Sequence, residues 1–215
     1  RGNSYDLIHG CMVLQTNIAN TLGALGRHDE AIARHRRVRG AWDHMFPEGN
    51  AAYVRQTDGS QISTTTRAEI EKTYARERLF STLNLASSLI AYQPKRTDLL
   101  HEARSLLLDN MADAQRVLGP SHEAMLMWRS NYAKTFYFDE GASHEDLCEA
   151  DAVADDIESI ARQHLGEYHP LTETFERLGC DSDSESTADG AAPEPDAAPG
   201  APDASEATHA IADDD

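Results

Sequence analysis

Residues 84–122 read NLASSLIAYQPKRTDLLHEARSLLLDNMADAQRVLGPSH, and residues 131–169 read NYAKTFYFDEGASHEDLCEADAVADDIESIARQHLGEYH. Laid over each other, the two stretches agree at three separated anchors. Asn84-Leu85-Ala86 meets Asn131-Tyr132-Ala133, and Leu100-His101-Glu102-Ala103 meets Leu147-Cys148-Glu149-Ala150. Leu118-Gly119-Pro120-Ser121-His122 meets Leu165-Gly166-Glu167-Tyr168-His169. Each anchor recurs 47 positions later, and three anchors in one register mark an internal repeat. An earlier copy starts at Asn17-Ile18-Ala19 and runs through Gly26-Arg27-His28-Asp29-Glu30-Ala31-Ile32. Its middle is shorter, 14 residues from Asn17 to Ala31 against 19 in the later copies.

Each copy reads as two helices. From Thr97 to Leu118 the apolar positions include Leu99, Ala103, Leu106, Leu107, Met111, Ala114 and Val117; from Ser143 to Leu165 they include Leu147, Ala150, Val153, Ala154, Ile157 and Ala161. Spacings of three and four place such residues on one helical stripe. Ile70, Tyr74, Leu79, Leu83, Ala86 and Ile90 predict a helix of about 25 residues in the same way. Thr97 with Asp98, and Ser143, are candidate caps, and Asp29 is a candidate cap after the stop at Gly26. Gly119-Pro120 and Gly166 through Pro170 interrupt helices. No stretch alternates with period two long enough to predict a strand. Ala19, Ala86 and Ala133 recur on the first helix of each pair, and Ala31, Ala103 and Ala150 on the second. Small residues at matched places let antiparallel helices approach closely. One pair cannot cover both of its faces, so successive pairs must stack. The fold class is therefore all-α: stacked antiparallel pairs over about 4–46, 67–118 and 121–165, with a short final helix at 170–178. Residues 50–66, rich in Gly, Ser, Thr and Gln, read as a loop.

Charge divides the chain. The 215 residues carry 19 Lys and Arg against 37 Asp and Glu, a net charge of −18. Asp181 to Asp215 holds 11 of the acids and no Lys or Arg, leaving 26 acids against 19 bases in residues 1–180. Ile211 is the tail's single large apolar residue. Such a segment cannot bury enough apolar area to offset its chain entropy, so residues 181–215 are expected to be a disordered acidic tail. The bland role is a solvated tail. A sharper one is an interaction or phosphorylation segment, with Ser182 and Ser186 each three residues ahead of an acid. The acidic balance argues against nucleic acid as partner, and no apolar run is long enough for membrane insertion. Cys11, Cys148 and Cys180 are odd in number and far apart, which fits a reducing, cytoplasmic setting better than a disulfide framework.

The strings Asn17-Ile-Ala-Asn-Thr-Leu-Gly-Ala-Leu-Gly-Arg-His-Asp-Glu-Ala-Ile, Asn84-Leu-Ala, Val117-Leu-Gly-Pro-Ser-His and Leu165-Gly-Glu-Tyr-His-Pro resemble the tetratricopeptide repeat, in particular the longer repeats of kinesin light chain type. The resemblance covers about residues 4–175. Repeat one matches most specifically; the later copies replace its Gly-Arg turn with longer turns at Tyr92–Arg96 and Asp139–Ala142. The resemblance implies a right-handed solenoid whose first helices line a concave face that holds a partner peptide. It implies a protein-binding scaffold or adaptor rather than an enzyme, with no cofactor. It also implies that Asn17, Asn84 and Asn131 form a ladder against the peptide backbone, because a carboxamide offers both a donor and an acceptor. The alternative reading of these asparagines is that they cap or bridge neighbouring helices. The alternative function is a structural subunit that docks by its stack edge into a larger assembly.

Other constellations carry less. Arg34, Arg36 and Arg37, with His35 and Arg39 and with Arg27 nearby, form a basic cluster that reads either as a contact for an acidic peptide or the chain's own acidic tail, or as a solvated helix face. His122 and His169 occupy equivalent repeat positions, which marks a joint rather than a ligand pair. His144 and Cys148 share a helix face but lack two further metal ligands, and no metal is expected. His9 and Cys11 are two apart, so they point to different faces of a helix and make a poor catalytic dyad. Trp128, Tyr132, Phe136, Tyr137 and Phe138 read mostly as core, with one or two free to face the groove.

Overall fold

The computed structural model describes residues 4–45, 64–92 and 96–183. Every regular element among them is an α-helix. In chain order these are α1 (Ser4–Ala24), α2 (His28–Met45), α3 (Thr64–Ile90), α4 (Thr97–Asp109), α5 (Met111–Leu118), α6 (Glu123–Tyr137), α7 (His144–His164) and α8 (Pro170–Asp183). They pack in neighbouring pairs, α1 on α2, α3 on α4 and α6 on α7. The second helix of each pair also meets the first helix of the next: α2 meets α3, α4 and α5 meet α6, and α7 meets α8. The first helices touch in series, α1 with α3, α3 with α6 and α6 with α8.

The repeated alanines set this packing. Ala19, Ala86 and Ala133, and likewise Ala31, Ala103 and Ala150, are all completely buried. A larger side chain at any of them would have to force two helices apart. The largest apolar cluster runs from Ile32 on α2 through Leu79, Leu85 and Leu89 on α3 and Leu100 and Leu107 on α4 to Trp128 on α6. Trp128 is fully buried and its indole N–H donates to the Leu107 carbonyl at 3.0 Å, so the ring fills the core without stranding its donor.

The joints repeat as the helices do. Gly119 and Gly166 both have positive φ, 90° and 98°, where an L side chain is strained. Three residues on, the His122 and His169 amides reach back to the Gly119 and Gly166 carbonyls, each at 3.4 Å. Each histidine then caps the next helix. His122 Nδ1 accepts from the Ala124 N–H at 3.1 Å, and His169 Nδ1 from the Leu171 N–H at 3.3 Å. The two imidazoles thus satisfy amides that a helix start leaves unpaired.

Several local expectations change. The single helix expected over 97–118 is interrupted at Asn110, whose side-chain amide donates to the Leu106 carbonyl at 2.9 Å. Asparagine competes in this way with the backbone bonds of a helix interior. Thr97 and Asp98 do not cap α4: Arg96 holds the cap position, with no side-chain cap bond, and its guanidinium pairs with Asp98 at 2.6 Å. Asp29 does not cap α2, which begins one residue earlier at His28. Ser143 does cap α7, in a reciprocal box with Asp146. Residues 64–66, read as loop, open α3, and α8 continues to Asp183, into the span read as tail. The rest of the loop expectation, 50–63, and the tail from 184 to 215 lie outside the described residues.

Candidate functional site: the face of the first helices

The face shared by α1, α3 and α6 carries the three predicted asparagines, and they are not equivalent. Asn17 is exposed on α1 and Asn84 is half-buried on α3. Both line one cleft of about 90 Å³, together with Val13, Phe80, Glu77 and Trp42. Asn131 is 8% exposed, and its amide donates to the Ser87 hydroxyl on α3 at 2.7 Å. It therefore bridges α6 to α3, while Asn17 and Asn84 open to the cleft.

The cleft is built from the repeat pattern. Its α2 wall is Trp42, the end of a buried stripe of Ala31, His35, Val38 and Trp42 spaced at three and four. Trp42 packs against Tyr74 with ring centroids 5.8 Å apart. Glu77 at the rim pairs with His9 at 3.5 Å. The aromatic and aliphatic walls offer apolar contact, and the two carboxamides offer donors and acceptors without charge. Such a surface suits a neutral backbone better than an ion.

No protein-family model, curated protein or solved structure matches this chain.

The basic cluster is not one surface. Arg36 makes a two-pronged pair with Glu102 on α4, at 2.5 and 3.2 Å. Arg34 donates to the Gln15 side chain on α1 at 2.7 Å. Arg37 is exposed. Residues two apart on a helix diverge by about 200°, so Arg34 reaches from α2 to α1 while Arg36 reaches to α4. His35, between them in sequence, is 1% exposed, and neither ring nitrogen has a hydrogen-bond partner. Burial holds its pKa below the ordinary 6.5, keeping the ring neutral.

A polar node that the sequence does not signal sits where the α6–α7 turn meets α4. The Asp139 side chain is 4% exposed and accepts from Arg104 at 3.1 Å and from the Gly141 N–H at 3.2 Å, with His101 Nε2 at 3.0 Å. Burial works against the carboxylate, but the Gly141, His101 and Arg104 bonds outweigh it and lower its pKa. The Arg104 guanidinium also lies 3.9 Å over the Phe136 ring. These partners are 35 and 38 residues apart along the chain, so no local pattern announces them.

Remaining candidates separate cleanly. Cys148 Sγ lies 3.7 Å from His144 Nε2, and among the described residues no group of three or more His, Cys, Asp or Glu is placed to hold a metal ion. Trp128 and Phe136 are core, whereas Phe138, the C-cap residue of α6, is 40% exposed. Among the described residues no helix is long and apolar enough to cross a membrane.

The same face holds residues that sequence reading passed over. Val13, Phe80 and Met127 each lie four residues before one of the three asparagines. Val13 is 42% exposed and Met127 40%, and Phe80 lines the cleft beside Val13. Their signal was the register itself: once the asparagines are aligned, the position one turn earlier is apolar in every copy.

Proposed function

We propose that this chain is a tetratricopeptide-type binding module. Its helix pairs wind into a right-handed solenoid, and the face of α1, α3 and α6 docks an extended partner peptide. The function is recognition, not catalysis. The observation that carries this reading is the cleft in which Asn17 and Asn84, from equivalent positions of successive repeats, open side by side next to Val13 and Phe80. Asn17 and Asn84 hold the peptide backbone, each through bonds worth about 0.5–1.5 kcal/mol net. Asn131 sets the floor between α3 and α6 through Ser87. The test is a quantitative pull-down from native cell lysate with wild type, Asn17/Asn84→Ala and Asn131→Ala, each checked for folding by circular dichroism. The proposal expects a partner held by wild type and lost by the Asn17/Asn84 variant. Equal capture by both refutes the groove.

A second reading is favoured by α1 itself. Leu14 is 58% exposed on α1 and Leu25, in the turn that follows it, 68%, and from Leu7 to Gly26 there is no Asp, Glu, Lys or Arg. An uncharged, apolar outer helix face suits a structural subunit that joins a larger assembly by its stack edge. Loss of assembly on Leu14→Glu, with groove binding intact, would favour this reading over the first.

A further inference from the structure

A half-buried lysine without a partner stands where α6 meets α8. Lys134 on α6 is half-buried, and among the described residues its ammonium has no hydrogen bond or ion pair. Each half-buried arginine does have a partner: Arg34 meets Gln15, Arg39 meets Asp43, Arg78 meets Asp113, Arg104 meets Asp139 and Arg129 meets Asp156. Burial pushes the Lys134 amine below its ordinary pKa, with no neighbouring charge to offset it. An ammonium held partly out of water without an anion is unfavourable, and a carboxylate that reaches it is favoured accordingly.

The repeat register says what surrounds this lysine. Ser87 on α3 is the residue that meets Asn131 on α6. One repeat of 47 residues later, the matching positions are Lys134 on α6 and Leu178 on α8. The two helices touch, and Leu178 packs with Ala133, Phe136 and Tyr137 of α6. Leucine has no acceptor to offer, so the position that binds a polar group in the preceding junction leaves Lys134 unanswered here.

The sequence beyond Leu178 supplies what is missing. Asp181 lies one helical turn on, about 5.4 Å along the axis, and Asp183, Glu185 and Asp189 follow. From Asp181 to Asp215 there are 11 acids and no Lys or Arg. Residues 1–180 carry 26 acids against 19 bases, so most of the molecule repels such a segment and an unpaired cation beside its start is the exception.

We propose that Lys134 is the docking point for the chain's own acidic segment 181–189, one of whose carboxylates pairs with the ammonium across the α6–α8 junction. The segment is thereby an intramolecular ligand of the α6 end of the stack. This contact is independent of the groove reading above.

The test treats the full chain with a water-soluble carbodiimide, which condenses an amine with a neighbouring carboxylate to an amide, and maps the products by mass spectrometry. The chain has three lysines, Lys72, Lys95 and Lys134, so each linked amine is readily assigned. The inference predicts an amide between Lys134 and an acid of 181–189 at monomer mass, at least about tenfold more abundant than any between exposed Lys72 and that segment. A second measurement compares lysine acetylation rates in wild type and in a variant with Asp181, Asp183, Glu185 and Asp189 changed to Asn or Gln. Losing the anion should make Lys134 react about threefold faster or more relative to Lys72, with circular dichroism unchanged. Absence of any Lys134 amide, links from Lys134 only to acids outside 181–189, links found only at dimer mass, or an unmoved acetylation rate would each overturn the inference.

Discussion

Asn84 and Asn131 occupy the same place in successive repeats, yet one opens to a cleft and the other is sealed. The difference lies in the preceding repeat. Asn131 finds the Ser87 hydroxyl on α3 at 2.7 Å. The position equivalent to Ser87 on α1 is Asn20, which is exposed. The Ser87 hydroxyl bridges the α3–α6 junction, whereas Asn20 is exposed and a cleft remains between α1 and α3. A repeat register therefore assigns position, while the neighbouring repeat assigns the role. The closed junction is where stability should concentrate, and the open one is where recognition should.

The strongest way to break this contrast is to empty the closed junction. Trp128→Ala removes a fully buried ring and its bond to Leu107, and we expect a loss of about 3–5 kcal/mol, read by urea denaturation. A loss under about 1 kcal/mol would show that this end is loosely packed. Next in size, Ala133→Leu adds volume at a completely buried site facing Ala150 and Phe136. It should cost about 1–3 kcal/mol, and a neutral result would contradict the close approach of α6 and α7.

His35 probes the wall of the open end. Its folded pKa is lowered by burial, so the unfolded chain takes up the proton first. The neutral ring's stability is fully present above the ordinary value of 6.5 and is lost as pH falls below it, levelling off beneath the folded pKa. His35→Leu should remove that dependence, which has a slope of up to about 1.4 kcal/mol per pH unit just below pH 6.5. Parallel stability curves for wild type and variant would show that the ring is not held neutral.

The smallest effect sharpens the contrast most. Asn131→Ala should lower stability by about 0.5–1.5 kcal/mol through its lost bond to Ser87. Asn84→Ala should stay within about 0.5 kcal/mol of wild type. Equal losses would erase the distinction between the two junctions.

The pairing of helices was legible because its determinants are local and repeated. Apolar stripes, the glycine joints and the alanines at matched places all lie within one repeat, and Ala86, Ala133, Ala103 and Ala150 are buried as the register requires. The break at Asn110 was not legible, because an asparagine on a strong apolar stripe looks like a surface residue until its bond to Leu106 is seen. The shared repeat position of the asparagines was legible, but not what each of them meets. Nothing in the Asn-x-Ala phrase tells that Asn131 meets Ser87, 44 residues away. The Asp139 node and the engagement of Arg36 by Glu102 are hidden for the same reason. They depend on which residues stacking brings opposite each other.

The most direct test of the groove is site-specific photo-crosslinking in native lysate. A photoreactive phenylalanine would replace Phe80 in the cleft and, separately, exposed Ala33 on the outer side of α2. The account predicts one dominant adduct from position 80, absent from position 33 and lost when Asn17 and Asn84 are both changed to Ala. An adduct from position 33 with none from position 80 would place recognition on another face and contradict it.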